Sequence, residues 1–360
     1  MISSLFFKLF PPPRYLAQPF VGLDISDQSI KFAELGGGND DKKLIRYGST
    51  SIPAGLIESG RILDRDKFKN ILKIFRQENN LTNVVVSLPE EQAFVVNLEI
   101  PNIKKSELRG SIELQLEEYV PLKISEIVFD YEILSFPNKV DDTYHISVYI
   151  LPLPMVLNYF DILQEAGYRP LGFEIEGQSL SRAVINQGEE GVTLIVDIGK
   201  TRTSFIIVVN GVVAFTSTVS NIGGEDITKS IAKNLAISRN EAEKLKVEKG
   251  LLRATKDKDL FYSLIPVVSA LADEIRRVSN YWKTHADSHQ KSQFDKIVLT
   301  GGQATLFGLD KYLSANLELP TEVSNPWINI LSLEHKIPTL DFNNAQRYVT
   351  ALGLALRNFV

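Results

Sequence analysis

The chain has 360 residues, 44% hydrophobic and 23% charged, with a formal net charge of -5. That composition is globular and long enough for two lobes, and its acidic balance argues against a nucleic-acid surface, which would need a basic stripe. Cysteine is absent, which excludes disulfides, thiolate metal sites and thiol nucleophiles.

No run approaches the roughly 20 apolar residues that span a bilayer. The opening MISSLFFKLFPPPRYL gathers Leu5, Phe6, Phe7, Leu9 and Phe10 ahead of Pro11 to Pro13, too short a cluster for a cleaved signal peptide. Residues 1–19 read as a flexible leader, with a weak interfacial anchor as the alternative. His145, His285, His289 and His335 are too few for an imidazole metal cluster. His285 and His289, four apart, read as an exposed polar pair.

A first strand is expected at 20–25 and a second at 29–35, joined through Ser26-Asp27-Gln28 into a hairpin. A third strand follows at 43–52. Over 64–79, Phe68, Ile71, Leu72 and Phe75 fall at amphipathic helical spacing, and 84–88 is a short strand stopped by Pro89. A strand at 93–100 leads to a helix at 106–120, where Leu108, Ile112, Leu116 and Tyr119 form one apolar stripe. Strands at 126–134 and 144–151 and a helix at 154–166, capped by Gly167, complete the block. Residues 89–166 therefore read as an inserted α/β subdomain. After a strand at 168–176, a helix at 179–186 and a hinge-like loop at 187–191, a second hairpin pairs 192–197 with 203–209. Asn210-Gly211 then turns the chain into a strand at 212–219. Helical patterns cover 224–235, 238–246 and 260–283. The strand 296–300 ends in Gly301-Gly302 with a helix expected from Ala304, and a last helix spans 345–358.

One pattern occurs twice: VGLDISDQSIKFAEL and LIVDIGKTRTSFIIV each contain an apolar strand, an aspartate, a small residue two positions on, a polar turn and a second strand. Phosphate chemistry gives each part a reason. An aspartate at a strand tip suits hydrated Mg²⁺, which prefers one or two carboxylates plus waters and phosphate oxygens. Turn amides and the hydroxyls of Ser26, Ser29, Thr201 and Thr203 suit phosphate oxygens, and Gly199 allows close backbone approach. IVLTGGQATLFGLDKYL adds a glycine pair between strand and helix, where main chain can lie against a base or sugar. Neither a P-loop nor a G-x-G-x-x-G run is present.

The ordered set DISDQSIK, DIGKTRTSF and LTGGQATLFGL resembles the phosphate 1, phosphate 2 and adenosine motifs of the actin, Hsp70 and FtsA superfamily. With SLPEEQAFVVNLEIP, QLEEYVPL, SNIGGEDITKSIAKNL and YVTALGLALRNF, the pattern from Phe20 onward is similar to the PilM family of type IV pilus assembly. The resemblance implies a two-lobed actin-like α/β fold, a duplicated ribonuclease H-like architecture with an inserted α/β subdomain. The first lobe would comprise 20–88, 167–188 and 345–360. The second would comprise 189–344, with 224–290 as its helical nucleotide-side subdomain.

It also implies ATP or ADP with Mg²⁺ as ligands. Asp24 and Asp197 would approach the metal, through water, with Ser26, Gln28, Ser29, Gly199, Lys200 and Thr201 around the phosphates. Gly223 and Gly224 would suit phosphate or ribose. Glu243 and Lys246 would contact ribose and adenine, or else form a solvated helical salt bridge, and Gly301 and Gly302 would lie beside the adenosine. Ser26 stands where the superfamily more commonly has glycine. Glu176 is the candidate for orienting attacking water, although slow or absent hydrolysis is expected. The implied role is an adaptor at the cytoplasmic face of the inner membrane, binding the N-terminal peptide of a PilN-like protein and pilus motor or platform components, with self-association possible and no nucleic acid. The stripe from Leu108 to Tyr119 would line a partner groove or form the insertion's own core. Two other readings stay open. One is an FtsA-like filament former, whose chains end in an amphipathic membrane helix where this one stops at ALGLALRNFV. The other is a sugar kinase-type phosphotransferase, for which no third aspartate motif is evident.

Overall fold

The computed structural model describes residues 18–39, 41–254, 256–286, 291–334 and 336–359. The Phe-rich leader up to residue 17, His289 and His335 lie outside the described residues.

The chain folds as the expected duplicated α/β architecture. In the first lobe, β1 (Val21–Ser26) and β2 (Ser29–Gly36) form the hairpin, and β3 (Lys43–Ser51) adds to its outer side. The short pair β4 (Ile57–Glu58) and β5 (Arg61–Ile62) precedes α1 (Arg65–Asn79). The start of α1 is fixed by Asp64, whose carboxylate accepts the Lys67 N–H at 3.0 Å, and its end by Asn80 in the left-handed conformation. This is the chemistry that satisfies orphaned helix-end groups. Phe68, Leu72 and Phe75 bury its inner stripe. Strand β6 (Asn83–Leu88) then lies parallel to β1.

The insertion carries β7 (Phe94–Pro101), α2 (Lys105–Leu116), β8 (Ile127–Ser135) and β9 (Thr143–Pro152), with sheet order β7-β9-β8. Leu108, Ile112 and Leu116 pack on Leu98, Ile100, Phe129, Ile146 and Ile150 in a separate core. The expected helix to residue 120 ends at Leu116, so Tyr119 falls in the following turn and is exposed. Leu108, Ile112 and Leu116 of the stripe belong to the insertion's core, and Tyr119 does not. Helix α3 (Leu153–Glu165) instead buries Tyr159, Ile162 and Leu163 in the first lobe, and Gly167 follows at φ +90°. Strand β10 (Arg169–Ile175) and α4 (Glu176–Val184) return to that lobe, giving the order β10-β6-β1-β2-β3.

The second lobe repeats the scheme with β11 (Val192–Ile198), β12 (Thr203–Val209) and β13 (Val212–Val219). Asn210 and Gly211 both have positive φ, as a tight primed hairpin turn requires. Helices α5 (Gly224–Leu235), α6 (Arg239–Ala254) and α7 (Lys258–His285) cover one face; α6 breaks helical geometry at Gly250. Strand β14 (Lys296–Thr300) lies parallel to β11, followed by α8 (Leu309–Leu317) and β15 (Thr321–Val323), for the order β13-β12-β11-β14-β15. The helix expected from Ala304 begins at Leu309, and turns occupy the residues between. The closing helix is likewise broken, into α9 (Phe342–Ala345), a 3-10 turn and α10 (Val349–Leu356). On α10, Gly353 lets the backbone press against α4: a β-carbon there would meet the Ser179 carbonyl oxygen at 1.9 Å. The 327–340 segment shares a core with β2 and α10 through Trp327, Ile330 and Leu340.

Candidate nucleotide cleft

The two hairpins face each other across a cleft of about 780 Å³. Asp24, Ser26, Gln28, Ser29, Glu176, Asp197, Gly199, Lys200, Thr201, Gly224, Glu243, Lys246, Gly301 and Gly302 all line it. These residues come from six separate stretches of sequence. Gly223, expected beside phosphate or ribose, does not line the cleft.

In the first hairpin Asp24 sits opposite Lys31 in register, and Lys31 Nζ donates to its carboxylate at 2.9 Å. Ser87 at the tip of β6 donates to the other oxygen at 3.3 Å. Ser26, the residue in place of the superfamily's commoner glycine, sits opposite Ser29; its hydroxyl lies 3.1 Å from the Ser29 carbonyl and 3.0 Å from the Ser29 hydroxyl. The serine therefore closes its own turn with a side chain that glycine would lack.

In the second hairpin Asp197 lies at the cleft floor, parallel to Thr300 of β14. Removal of its carboxyl from water pushes its pKa up to about 6; Asp24 adds to the rise, while Arg202 and Lys31 oppose it. The turn is braced from below. The Gly224 N–H donates to the Gly199 carbonyl at 3.0 Å and the Glu225 N–H to the Lys200 carbonyl at 2.8 Å. The Gly223 N–H donates to the Asp226 carboxylate at 3.1 Å. The first amides of α5, free donors at an ordinary helix start, thus hold the phosphate 2 loop in place. Their contribution to the cleft is the shape of that loop.

On α6, Lys246 is buried and donates to the Gly224 carbonyl at 3.2 Å and the Thr228 hydroxyl at 3.1 Å, and pairs with Glu243 at 2.8 Å. Partial burial pushes the Glu243 carboxyl up, but the bonds from Lys246 and Thr228 outweigh it and leave the pKa below the usual range. Lys246 is therefore tied into the cleft wall by α5, while the Glu243 side chain stays half exposed.

Sequence reasoning did not single out Lys31 or Arg202, although both stand in the quoted motifs. Arg202 points from the second hairpin toward the first lobe. Its guanidinium reaches Glu176 at 2.7 Å, Glu91 at 2.5 Å and Asp27 at 3.8 Å. Glu176 is the first residue of α4 and is buried. Burial pushes its carboxyl well above the usual range, Arg202 pulls it back, and Glu91, Asp24 and Glu90 add to the rise. Beside it, Glu90 accepts the Gly177 N–H at 2.8 Å and is pushed up to about 7, chiefly by burial.

Among the described residues no group of three or more His, Asp or Glu side chains is arranged to hold a metal ion directly. Asp24 and Asp197 both line the cleft, and such a carboxylate pair suits Mg²⁺ kept in its water shell.

The family model described as Type IV pilus assembly protein PilM matches residues 22–359. The chain belongs to this PilM family. A chain of a PilM-PilN type IV pilus biogenesis complex has a TM-score of 0.77 with it at 22% identity, covering 97% of this chain and 100% of that one. MreB5 of Spiroplasma citri bound to ADP gives 0.54 at 15% identity, over 87% of this chain and 94% of that one. EutJ from Carboxydothermus hydrogenoformans gives 0.53 at 16% identity, over 96% and 90%. These likenesses show the actin-like fold. The cell division protein FtsA of Enterococcus hirae is 24% identical over 333 residues, covering 81% of this chain and 74% of that protein. FtsA of Neisseria meningitidis is 25% identical over 219 residues, and the match takes in half of its length. The assignment to pilus assembly, reached from the motif set, is borne out by the family match.

Proposed function

We propose that the chain is a nucleotide-gripping adaptor of type IV pilus assembly, holding Mg-ATP or Mg-ADP between the Asp24 and Asp197 hairpins. The observation that carries the reading is the convergence of both hairpins and Gly301-Gly302 on one cleft. Asp24 and Asp197 hold the metal through water, Ser26, Gln28, Ser29, Gly199, Lys200 and Thr201 surround the phosphates, and Glu243 and Lys246 meet the ribose and base. Lys31 joins the phosphate side. Turnover is slow, on the order of one per minute or less, and bound nucleotide stabilises the closed cleft by mass action.

The partner in this reading is the cytoplasmic N-terminal peptide of a PilN-like membrane protein, as the complex named among the similar structures supports. It brings the adaptor to the cytoplasmic face of the inner membrane, beside the motor and platform. We take the insertion's working unit as β7 to β9, since α3 packs in the first lobe. No helix among the described residues is long and apolar enough to cross a membrane, which fits recruitment through a partner. The test is a pull-down with synthetic N-terminal peptides of bitopic membrane proteins from the same genome, with and without Mg-ATP. Retention of one peptide supports the adaptor, and retention of none removes it.

The FtsA relatives support a second reading, a nucleotide-dependent filament former. Pelleting of the protein at high speed with Mg-ATP, and not without it, would favour that reading.

A further inference from the structure

The Arg202 cluster is unusual in its connectivity. Its three carboxylates come from three places: Asp27 from the first hairpin turn, Glu91 from the 3-10 turn after β6, and Glu176 from the start of α4. The guanidinium comes from the opposite lobe, and the side chain is only 13% exposed. A planar fork with separate donors can hold two carboxylates at once. Here Nη1 takes Glu91 and Nη2 takes Glu176.

The consequence concerns hydrolysis, and it rests on the nucleotide reading above. In hydrolysis, a water oxygen forms a bond to the γ-phosphorus. The bond to the β–γ bridging oxygen breaks, its electron pair leaving on ADP, and the water's proton passes to a carboxylate and on to solvent. That carboxylate must be free to accept a hydrogen bond from water and basic enough to take the proton. Of the acidic groups lining the cleft, Asp24 is held by Lys31, Glu243 by Lys246, Glu225 by Lys200 and Asp27 by Arg202, and Asp197 is given to the metal in the reading above. Glu176 stands near enough to Asp24 for their charges to interact. One of its oxygens is taken by Arg202, which holds the carboxylate turned toward the guanidinium.

We propose that Arg202 is a positioning residue that keeps Glu176 from activating water, so that the cleft retains ATP unhydrolysed. The same contact ties the phosphate 2 loop to Glu91, at the entry to the insertion.

The experiment measures nucleotide affinity and phosphate release at saturating Mg-ATP in the full chain. Arg202→Gln is expected to raise kcat about tenfold while ATP affinity stays within about threefold, and Arg202→Gln/Glu176→Gln is expected to return to the wild-type rate. Arg202→Lys keeps the buried charge, but its single ammonium cannot fork between Glu91 and Glu176. It is expected to raise kcat about threefold, and it carries the test if the glutamine variant does not fold. Wild-type rates in both single variants with ATP still bound would overturn the proposal, as would a double variant as fast as Arg202→Gln. Failure of the wild-type protein to bind ATP would instead overturn the nucleotide reading itself.

Discussion

A β-carbon built on Gly301 would lie 2.2 Å from the Asp197 Oδ1 and 2.7 Å from the Ile198 carbonyl oxygen. Gly301 also has φ +88°, a conformation that residues with side chains adopt only under strain. The tip of β14 and the tip of β11 thus touch through a position that only glycine fills. Gly301→Ala should cost at least about 2 kcal/mol through strain and overlap and displace Asp197. The measurement is thermal unfolding together with Mg-ATP titration. An alanine variant with native Tm and native affinity would show that the contact is dispensable.

Burial of Glu90 makes a pH-dependent prediction. Its pKa is about 7 in the fold against about 4.5 unfolded, so the folded state holds the proton more tightly. Stability from this group is complete below the unfolded value and is lost as pH rises through 7. At 1.36 kcal/mol per unit, the loss is about 3 kcal/mol. Glu90→Gln keeps an acceptor for the Gly177 N–H and should raise Tm over wild type at pH 8, with a much smaller difference at pH 5. Equal differences at the two pH values would contradict it.

The insertion has its own core, so damage there should stay local. Ile112 is fully buried beneath the sheet, and Ile112→Ala should cost about 3 kcal/mol of packing. Amide exchange is expected to quicken over β7, α2, β8 and β9, with Mg-ATP affinity within twofold of wild type. Exchange quickening equally across both lobes would show that the insertion is not an independent unit.

What the sequence made legible follows from how local each signal is. Strand β14 and helix α5 fall at 296–300 and 224–235 as read, because an apolar run ending in Gly-Gly and a glycine-led amphipathic stretch carry their own boundaries. The repeated aspartate hairpins were legible for the same reason, and they converge on one cleft. The misses are tertiary. Tyr119 continues a helical spacing, yet the chain turns after Leu116. The helix after Gly301-Gly302 waits for Leu309 because Gly308, at φ +88°, ends the loop. Arg202 shares a polar turn with Lys200, and its partners Glu176 and Glu91 lie 26 and 111 positions away. No periodicity reports such a contact.

Nucleotide held between two aspartate-tipped hairpins is the claim on which the proposed role rests most directly. Calorimetric titration of Mg-ATP into the wild-type protein, Asp24→Ala and Asp197→Ala tests it. The expected result is saturable binding by the wild type and at least about a tenfold loss in each variant, with folded structure retained by circular dichroism. Wild-type affinity in both variants would contradict it.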